Sequence, residues 1–221
     1  MQIAILGAGR VGSALGRLWH AAGHDVTFAA RDAARPRALA AELGERAHAA
    51  SVAGAVARAD AVLVAVPGPA VTDVLRAAGP LDGRVVIDAA NSFGPRQVTL
   101  RSLAGAFPRA RWVRAFNSLS VSIMADDNHR TPPWVMFLSG DEDAKPVVTQ
   151  LIQDAGFDPV DLGGIDDSPL QDPGGAYGSI RGYFASFPDA GAAAADLRRR
   201  FKFLGDTGVW RLLTSASRDI G

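Results

Sequence analysis

Residues 2–12 read Gln2-Ile3-Ala4-Ile5-Leu6-Gly7-Ala8-Gly9-Arg10-Val11-Gly12, and the fold follows from them. Ile3, Ile5 and Leu6 form the short apolar run of a buried parallel strand. Gly7, Gly9 and Gly12 follow at G-x-G-x-x-G spacing, and a helical apolar pattern (Val11, Leu15, Leu18, Trp19) begins at once. In that setting Gly7 permits the strand-to-helix turn, Gly9 lets backbone approach a pyrophosphate, and Gly12 lets helix and strand pack closely. The free N–H groups at the start of the helix, around Ala8 to Val11, favour an anion there. The expectation is a dinucleotide site on a Rossmann-type, doubly wound α/β fold with a mainly parallel sheet.

Working outward, the helix is expected over Arg10 to Ala22 with Gly23 as its stop, and a second strand over His24 to Ala29. An acidic residue at that strand end would select NAD, whereas arginine accommodates the extra phosphate of NADP. The chain offers Ala30-Arg31-Asp32, then Arg35 one turn later. Arg31 and Arg35 together make a phosphate clamp, so NADP(H) is the expected cofactor. The competing reading is two surface arginines at an exposed helix start. Asp32 reads as the cap of that helix.

Helices are expected over 33–43, 52–58, 70–78, 98–106 and from about 141 to 155. Strands are expected over 60–66, 84–89, 112–116, 134–139 and 157–162. Asp60-Ala61-Val62-Leu63-Val64-Ala65-Val66 is the clearest buried strand and stops at Pro67. In this architecture the backbone at Val66 and Pro67 lines the nicotinamide side. Asn91 falls in the loop after the next strand, facing the ligand crevice or serving as a plain turn residue. Strand–helix alternation argues helices on both faces of the sheet.

Lys plus Arg and Asp plus Glu both total 23, so no net field points to nucleic acid or an anionic membrane as partner. The chain has no cysteine, which excludes disulfides and thiolate chemistry. Its first apolar stretch is too short to span a bilayer, and a cytoplasmic protein is expected. His20, His24, His48 and His129 form no pair that suggests catalysis or a metal. Asp126-Asp127 and Asp166-Asp167 read as turn or cap residues.

From about Asp166 the texture changes, with Pro169, Pro173, Gly174, Gly175, Gly178 and Gly182 among Tyr177, Tyr183, Phe184 and Phe187. The expected division is a dinucleotide-binding domain over 1–165 and a short, mostly helical C-terminal extension over 166–221. A helix is expected over 190–203; Arg198, Arg199 and Arg200 on it cannot share one face and read as a solvated surface or an interface edge rather than an anion site. The end of the chain (Trp210, Leu212, Leu213) is apolar enough to pack on the domain or on a partner subunit.

Over residues 1–165 the chain resembles the NADPH-dependent deazaflavin (coenzyme F420) reductases and their wider group of dinucleotide-binding proteins. The resemblance rests on Ile-Leu-Gly-Ala-Gly-Arg-Val-Gly-Ser-Ala-Leu at 5–15, Ala-Ala-Arg-Asp at 29–32 and Val-Ala-Val-Pro at 64–67. Val-Ile-Asp-Ala-Ala-Asn at 86–91, Arg-Ala-Phe-Asn-Ser at 114–118 and Gly-Phe-Asp-Pro-Val-Asp at 156–161 extend it. It implies that residues 8–12, Arg31 and Arg35 bind NADP. It also implies that Val66, Pro67 and Asn117 lie near nicotinamide and deazaflavin, with a small-molecule hydride acceptor and a homodimer. The chain departs from the pattern in having Gly68 where an aromatic is usual and Ala30 where serine is usual. It also continues far beyond Leu170-Gln171.

The second ligand is expected at the carboxyl edge of the sheet, held by Asn117 and Ser118; the competing reading of Asn117 is a cap on the turn after its strand. Hydride transfer between stacked rings asks the protein for orientation and exclusion of water rather than an acid–base set. Two rivals are an NADP-dependent imine or carbonyl reductase and a nonenzymatic NADPH-binding sensor or partner subunit.

Overall fold

Eight short segments assemble side by side: β1 (Gln2–Leu6), β2 (Asp25–Ala29), β3 (Ala47–Ala49), β4 (Ala61–Val64), β5 (Val85–Asp88), β6 (Arg111–Ala115), β7 (Val135–Gly140) and β8 (Asp158–Asp161). The central ones, β1, β4 and β5 through β7, are mainly apolar runs buried on both faces. The structure, a computed structural model, describes residues 1–93, 98–126, 128, 131–173, 175, 177, 189, 191–193 and 195. The strand order is β3-β2-β1-β4-β5-β6-β7-β8. The first six strands run parallel, β7 pairs antiparallel with β6, and β8 runs parallel to β7. The order reverses between β1 and β4, so their carboxyl ends open a crevice beside the glycine turn.

The helices are α1 (Arg10–Ala21), α2 (Ala34–Leu43), α3 (Val52–Ala57), α4 (Val71–Ala78), α5 (Leu100–Ala106), α6 (Val121–Asp126) and α7 (Lys145–Asp154). Strand alternation sorts the core into two layers. Ile3, Ile5, Val26 and Phe28 meet Leu15, Trp19, Leu39 and Leu151 on one face. Ala4, Leu6, Val62 and Val64 meet Val56, Leu75, Leu100 and Leu103 on the other. Each fully buried Val, Leu or Ile contributes about 1.5–3 kcal/mol. Among the described residues no helix is long and apolar enough to cross a membrane.

Up to residue 162 the expected strands and helices are present within a few residues of their expected ends, whereas most of the helix expected over 190–203 lies outside the described residues. Two elements were not expected. β3 is Ala-His-Ala, without a β-branched or aromatic residue, and it exists because Val26, Thr27 and Phe28 offer it a ladder. It places His48 on a strand rather than in a loop. α6 follows Asn117-Ser118-Leu119-Ser120 directly and packs on α1, burying Met124. It holds Asp126 in a helix rather than in a turn.

The described residues just past 165 pack against the sheet. A 3-10 segment spans Ile165–Gln171, Gln171 is fully buried, and Tyr177 packs on Phe137 with ring centroids 4.9 Å apart. Residues 191–193 are helical and Ala193 joins the core. Arg198 to Arg200, Trp210, Leu212 and Leu213 lie outside the described residues.

Candidate functional site

The three glycines divide into two kinds. A Cβ on Gly12 would lie 1.9 Å from the Gly7 carbonyl oxygen, and one on Gly7, at φ +113°, would lie 2.3 Å from that of Ala65. Both are required by the protein's own packing. A Cβ on Gly9 would meet nothing within 4 Å, so that side of the turn faces open space. α1 begins just there: its first backbone bond runs from Ser13 N to Gly9 O at 2.9 Å. The amides of Arg10, Val11 and Gly12 therefore point out of the helix start without helical acceptors. Gly7, Ala8 and Gly12 are buried, Val11 is half-buried, and Gly9 and Arg10 are exposed. This is a cradle with room for a pyrophosphate, and the residues fit one.

Arg31 and Arg35 are exposed at the end of β2 and the start of α2. Among the described ion pairs, neither they nor Arg10 has a carboxylate partner. Arg10 and Arg35 line one groove with Ser13 of α1 and with Ser122 and Asp126 of α6. Arg17, lower in that groove, is paired with Glu42; this pair raises the guanidinium pKa and lowers the carboxyl's. Arg10 and Arg35 thus remain free for an anion. Asp32 accepts from Ala34 N at 2.9 Å, although the cap position itself is Ala33.

β4 ends at Val64, so Val66 and Pro67 lie in the loop beyond it, half-buried and exposed respectively. A Cβ on the following Gly68 would lie 2.2 Å from Ser92 Oγ and 2.9 Å from Asn91 O. The loops after β4 and β5 are therefore packed in contact, and the chain has glycine at 68 because the Asn91–Ser92 turn occupies that space.

Asn117 differs most from expectation. It is 2% exposed, and its amide is engaged inside the protein. Asn117 Nδ2 donates to Gln171 O (2.7 Å) and Asn91 Oδ1 (3.2 Å), while its Oδ1 accepts from Gln171 Nε2 (3.1 Å). Asn91 Nδ2 donates in turn to Asn117 O at 2.9 Å. Asn117 thus ties the loop after β6 to the loop after β5 and to residue 171. Ser118 beside it is buried, and its hydroxyl has no hydrogen-bond partner. The turn is set by Phe116, a non-glycine residue at φ +63° whose ring meets Trp19 edge-on at 5.5 Å.

Beneath these loops lies a charged cluster that sequence reasoning did not identify. Asp88 and Arg114 are register partners at the ends of β5 and β6, each 1% exposed. Arg114 Nη1 is hydrogen-bonded to Asp88 Oδ2, and Nη2 donates to Ala90 O at 2.9 Å. Arg114 Nε lies 2.5 Å from Asp172 Oδ1 without hydrogen-bond alignment, so that contact is an ion pair only. Burial pushes both carboxyls up, and the Arg114 charge pulls them back. A sequence signal did exist: opposite charges sit in the apolar runs Val85-Val86-Ile87-Asp88 and Trp112-Val113-Arg114-Ala115. Nothing local marks Gln171 or Asp172.

The remaining candidates have structural partners or lie elsewhere. His24 bridges the N-terminal amine (3.2 Å) and Asp154 (2.9 Å), and His20 meets Glu45 O at 2.7 Å. Asp167 accepts from Gly164 N at 2.8 Å. Asp127 and His129 lie outside the described residues. A concavity of about 440 Å³ lined by Gln2, Asp25, Thr27, His48 and Arg58 sits at the amino ends of β1 and β2. It is at the opposite edge from the glycine turn, where this architecture places no ligand.

Strand order, glycine cradle and unpaired arginines define a dinucleotide-binding α/β protein with a second set of loops after β5 and β6. The chain belongs to the coenzyme F420-dependent NADP oxidoreductases. The sequence model of that family, NADP oxidoreductase coenzyme F420-dependent, matches residues 2–92. A candidate F420-dependent NADP reductase from Arthrobacter is 30% identical over 75% of this chain and 86% of its own, with TM-score 0.62. A hypothetical protein from Sinorhizobium meliloti is 31% identical over 81% of this chain and 93% of its own, with TM-score 0.73. A reductive aminase from Aspergillus terreus, solved with NADPH and ethyl-5-oxohexanoate, shares the fold at 23% identity. It aligns over 98% of this chain and 71% of its own, with TM-score 0.65. No curated protein matches the sequence.

Proposed function

We propose that this NADP-dependent oxidoreductase moves a hydride between NADP(H) and a deazaflavin-type coenzyme at the carboxyl edge of the sheet. NADP(H) would lie on the amides of residues 10–12, with its adenosine phosphate toward Arg31 and Arg35, and its nicotinamide would supply the hydride. One observation carries the reading. The ionisable groups beneath the loops after β5 and β6 are locked to one another as Asp88–Arg114–Asp172. The loops above them carry amides and hydroxyls (Asn91, Ser92, Asn117, Ser118), of which Asn91 and Asn117 are engaged with each other. Transfer between two stacked rings needs orientation and dryness and no proton relay, whereas an imine or carbonyl acceptor needs a proton donor. The name of the family and of its Arthrobacter relative supports the same acceptor.

The test is NADPH oxidation with coenzyme F420 and, in parallel, with a cyclic imine. Turnover with F420 alone is expected. Turnover with the imine alone would assign the reductase class instead, and turnover with neither would favour a sensor or partner subunit. We further propose a cytoplasmic homodimer, with residues 166–221 packed on the domain or the partner subunit; light scattering on the full chain reads its mass.

A further inference from the structure

Residues 171 and 172 come from a distant part of the chain to the end of β6 and the loop after it, and Asn117 and Arg114 there hold the loop after β5. Gln171, fully buried, donates from Nε2 to Arg114 O (2.9 Å) and Asn117 Oδ1 (3.1 Å). Its carbonyl accepts from Asn117 Nδ2 at 2.7 Å, and Ser139 Oγ of β7 donates to its Oε1 at 3.4 Å. Asp172 sits on Arg114, whose other nitrogens hold Asp88 and the Ala90 carbonyl. The atoms so fixed are backbone and amide groups at 90, 91 and 117, the last points before each loop opens toward the crevice.

Stability alone does not account for this arrangement. A buried arginine between two carboxylates is, on general grounds, no more stabilising than well-packed apolar residues of similar volume. What it supplies is direction. Phe116 at φ +63° is in a region that is strained for a non-glycine residue and persists only when its surroundings fix it. Trp19 packs against its ring, and Asn117, the next residue in the chain, is held by Gln171.

We propose that Gln171 and Asp172 are positioning residues for the second ligand. Gln171 acts through Asn117, and Asp172 through Arg114 and Ala90, to set the separation of the loops after β5 and β6. This rests on the assignment of those loops as the acceptor site, and it gives the segment after residue 165 a part in the chemistry.

The test uses the full chain with NADPH and coenzyme F420. A misplacement of an ångström costs on the order of a hundredfold in such transfers. Asp172→Asn and Gln171→Ala are therefore expected to raise the KM for F420 roughly tenfold or more. The NADPH dissociation constant should stay within about twofold, since no contact of these residues reaches the glycine cradle. Asp172→Glu, which keeps the charge at a partly exposed position, should restore most of the loss. Asp166→Asn is the control from the same segment: its pair with Arg101 is exposed, and its kinetics should match wild type. Unchanged F420 KM in both variants overturns the proposal, as does an NADPH dissociation constant that rises in step with it. If Gln171→Ala does not fold, the Asp172 pair of variants decides. If wild type does not turn over F420, the acceptor assignment fails independently, and amide hydrogen exchange of Asp172→Asn then decides. Faster exchange at 88–92 and 114–120 with no change at 7–12 supports the positioning role, and equal exchange overturns it.

Discussion

Asn91 and Asn117 hold each other across the gap between two strand ends. Asn91 Nδ2 donates to Asn117 O at 2.9 Å, and Asn117 Nδ2 donates to Asn91 Oδ1 at 3.2 Å. Because Asn117 also shares its amide with Gln171, Asn117→Ala leaves several buried polar atoms unpaired. The expected cost is about 1–3 kcal/mol, a fall in Tm of roughly 2–4 °C per kcal/mol for a chain of this size. Acceptor turnover should weaken while NADPH affinity stays nearly intact. A Tm equal to wild type would show that the network is not held as described.

Cofactor choice is a separate matter, settled at the other end of the crevice. Arg31 and Arg35 are exposed and free of carboxylates, so NADPH should bind more tightly than NADH. A charge-assisted contact of this kind is worth roughly 1.5–3 kcal/mol, about tenfold to a hundredfold in affinity. Titration of both cofactors against wild type and Arg31→Ala checks it; equal affinities in wild type sink the assignment.

The glycines should separate binding from folding. Gly9→Val projects into open space and is expected to fold, as read by circular dichroism, yet lose NADPH binding. Gly12→Ala places a methyl 1.9 Å from the Gly7 carbonyl and should destabilise the protein itself. Gly16→Ala is a third case: its Cβ would lie 2.4 Å from the Phe28 ring. Overpacking of that kind typically costs about 1–3 kcal/mol. If Gly9→Val binds NADPH normally, the phosphates lie elsewhere.

A pH dependence should come from β8. Lys145, nearly buried, lies between Asp161 (2.8 Å) and Glu142 (2.6 Å). Burial pushes the Asp161 carboxyl up, against the pull of the Lys145 hydrogen bond, the Gly163 amide and the Lys145 charge; Glu142 adds to the rise. The folded protein therefore keeps a proton that the unfolded chain has released. That contribution is full below the ordinary carboxylate range, about pH 4, and is lost as pH rises through the folded value. The Tm of wild type relative to Asp161→Asn should accordingly be highest near pH 4 and decline toward neutrality. A difference that grows with pH would contradict the assignment.

The sequence and the tertiary structure each decided different things about this protein. The G-x-G-x-x-G stretch between an apolar strand and an amphipathic helix determined the α/β fold, because each glycine answers a steric demand made within a few residues. The apolar runs at 61–64 and 85–87 and the helical periodicity between them were equally local. β3 was not: three residues of low strand propensity became a strand because β2 offered an unpaired edge. Arg31 and Arg35 were legible as free cations because their partner was expected to be a ligand.

The inner side of the acceptor loops was decided by the tertiary structure alone. Asn117 reads in the chain as a candidate ligand contact, and Asp88 and Arg114 draw no reading of their own. Their roles appear when Gln171 and Asp172, more than fifty residues on from Asn117 and Arg114, arrive beside them. A buried polar group takes its function from whichever partner satisfies it, and that partner is chosen by chain folding across the sheet, which no local spacing records.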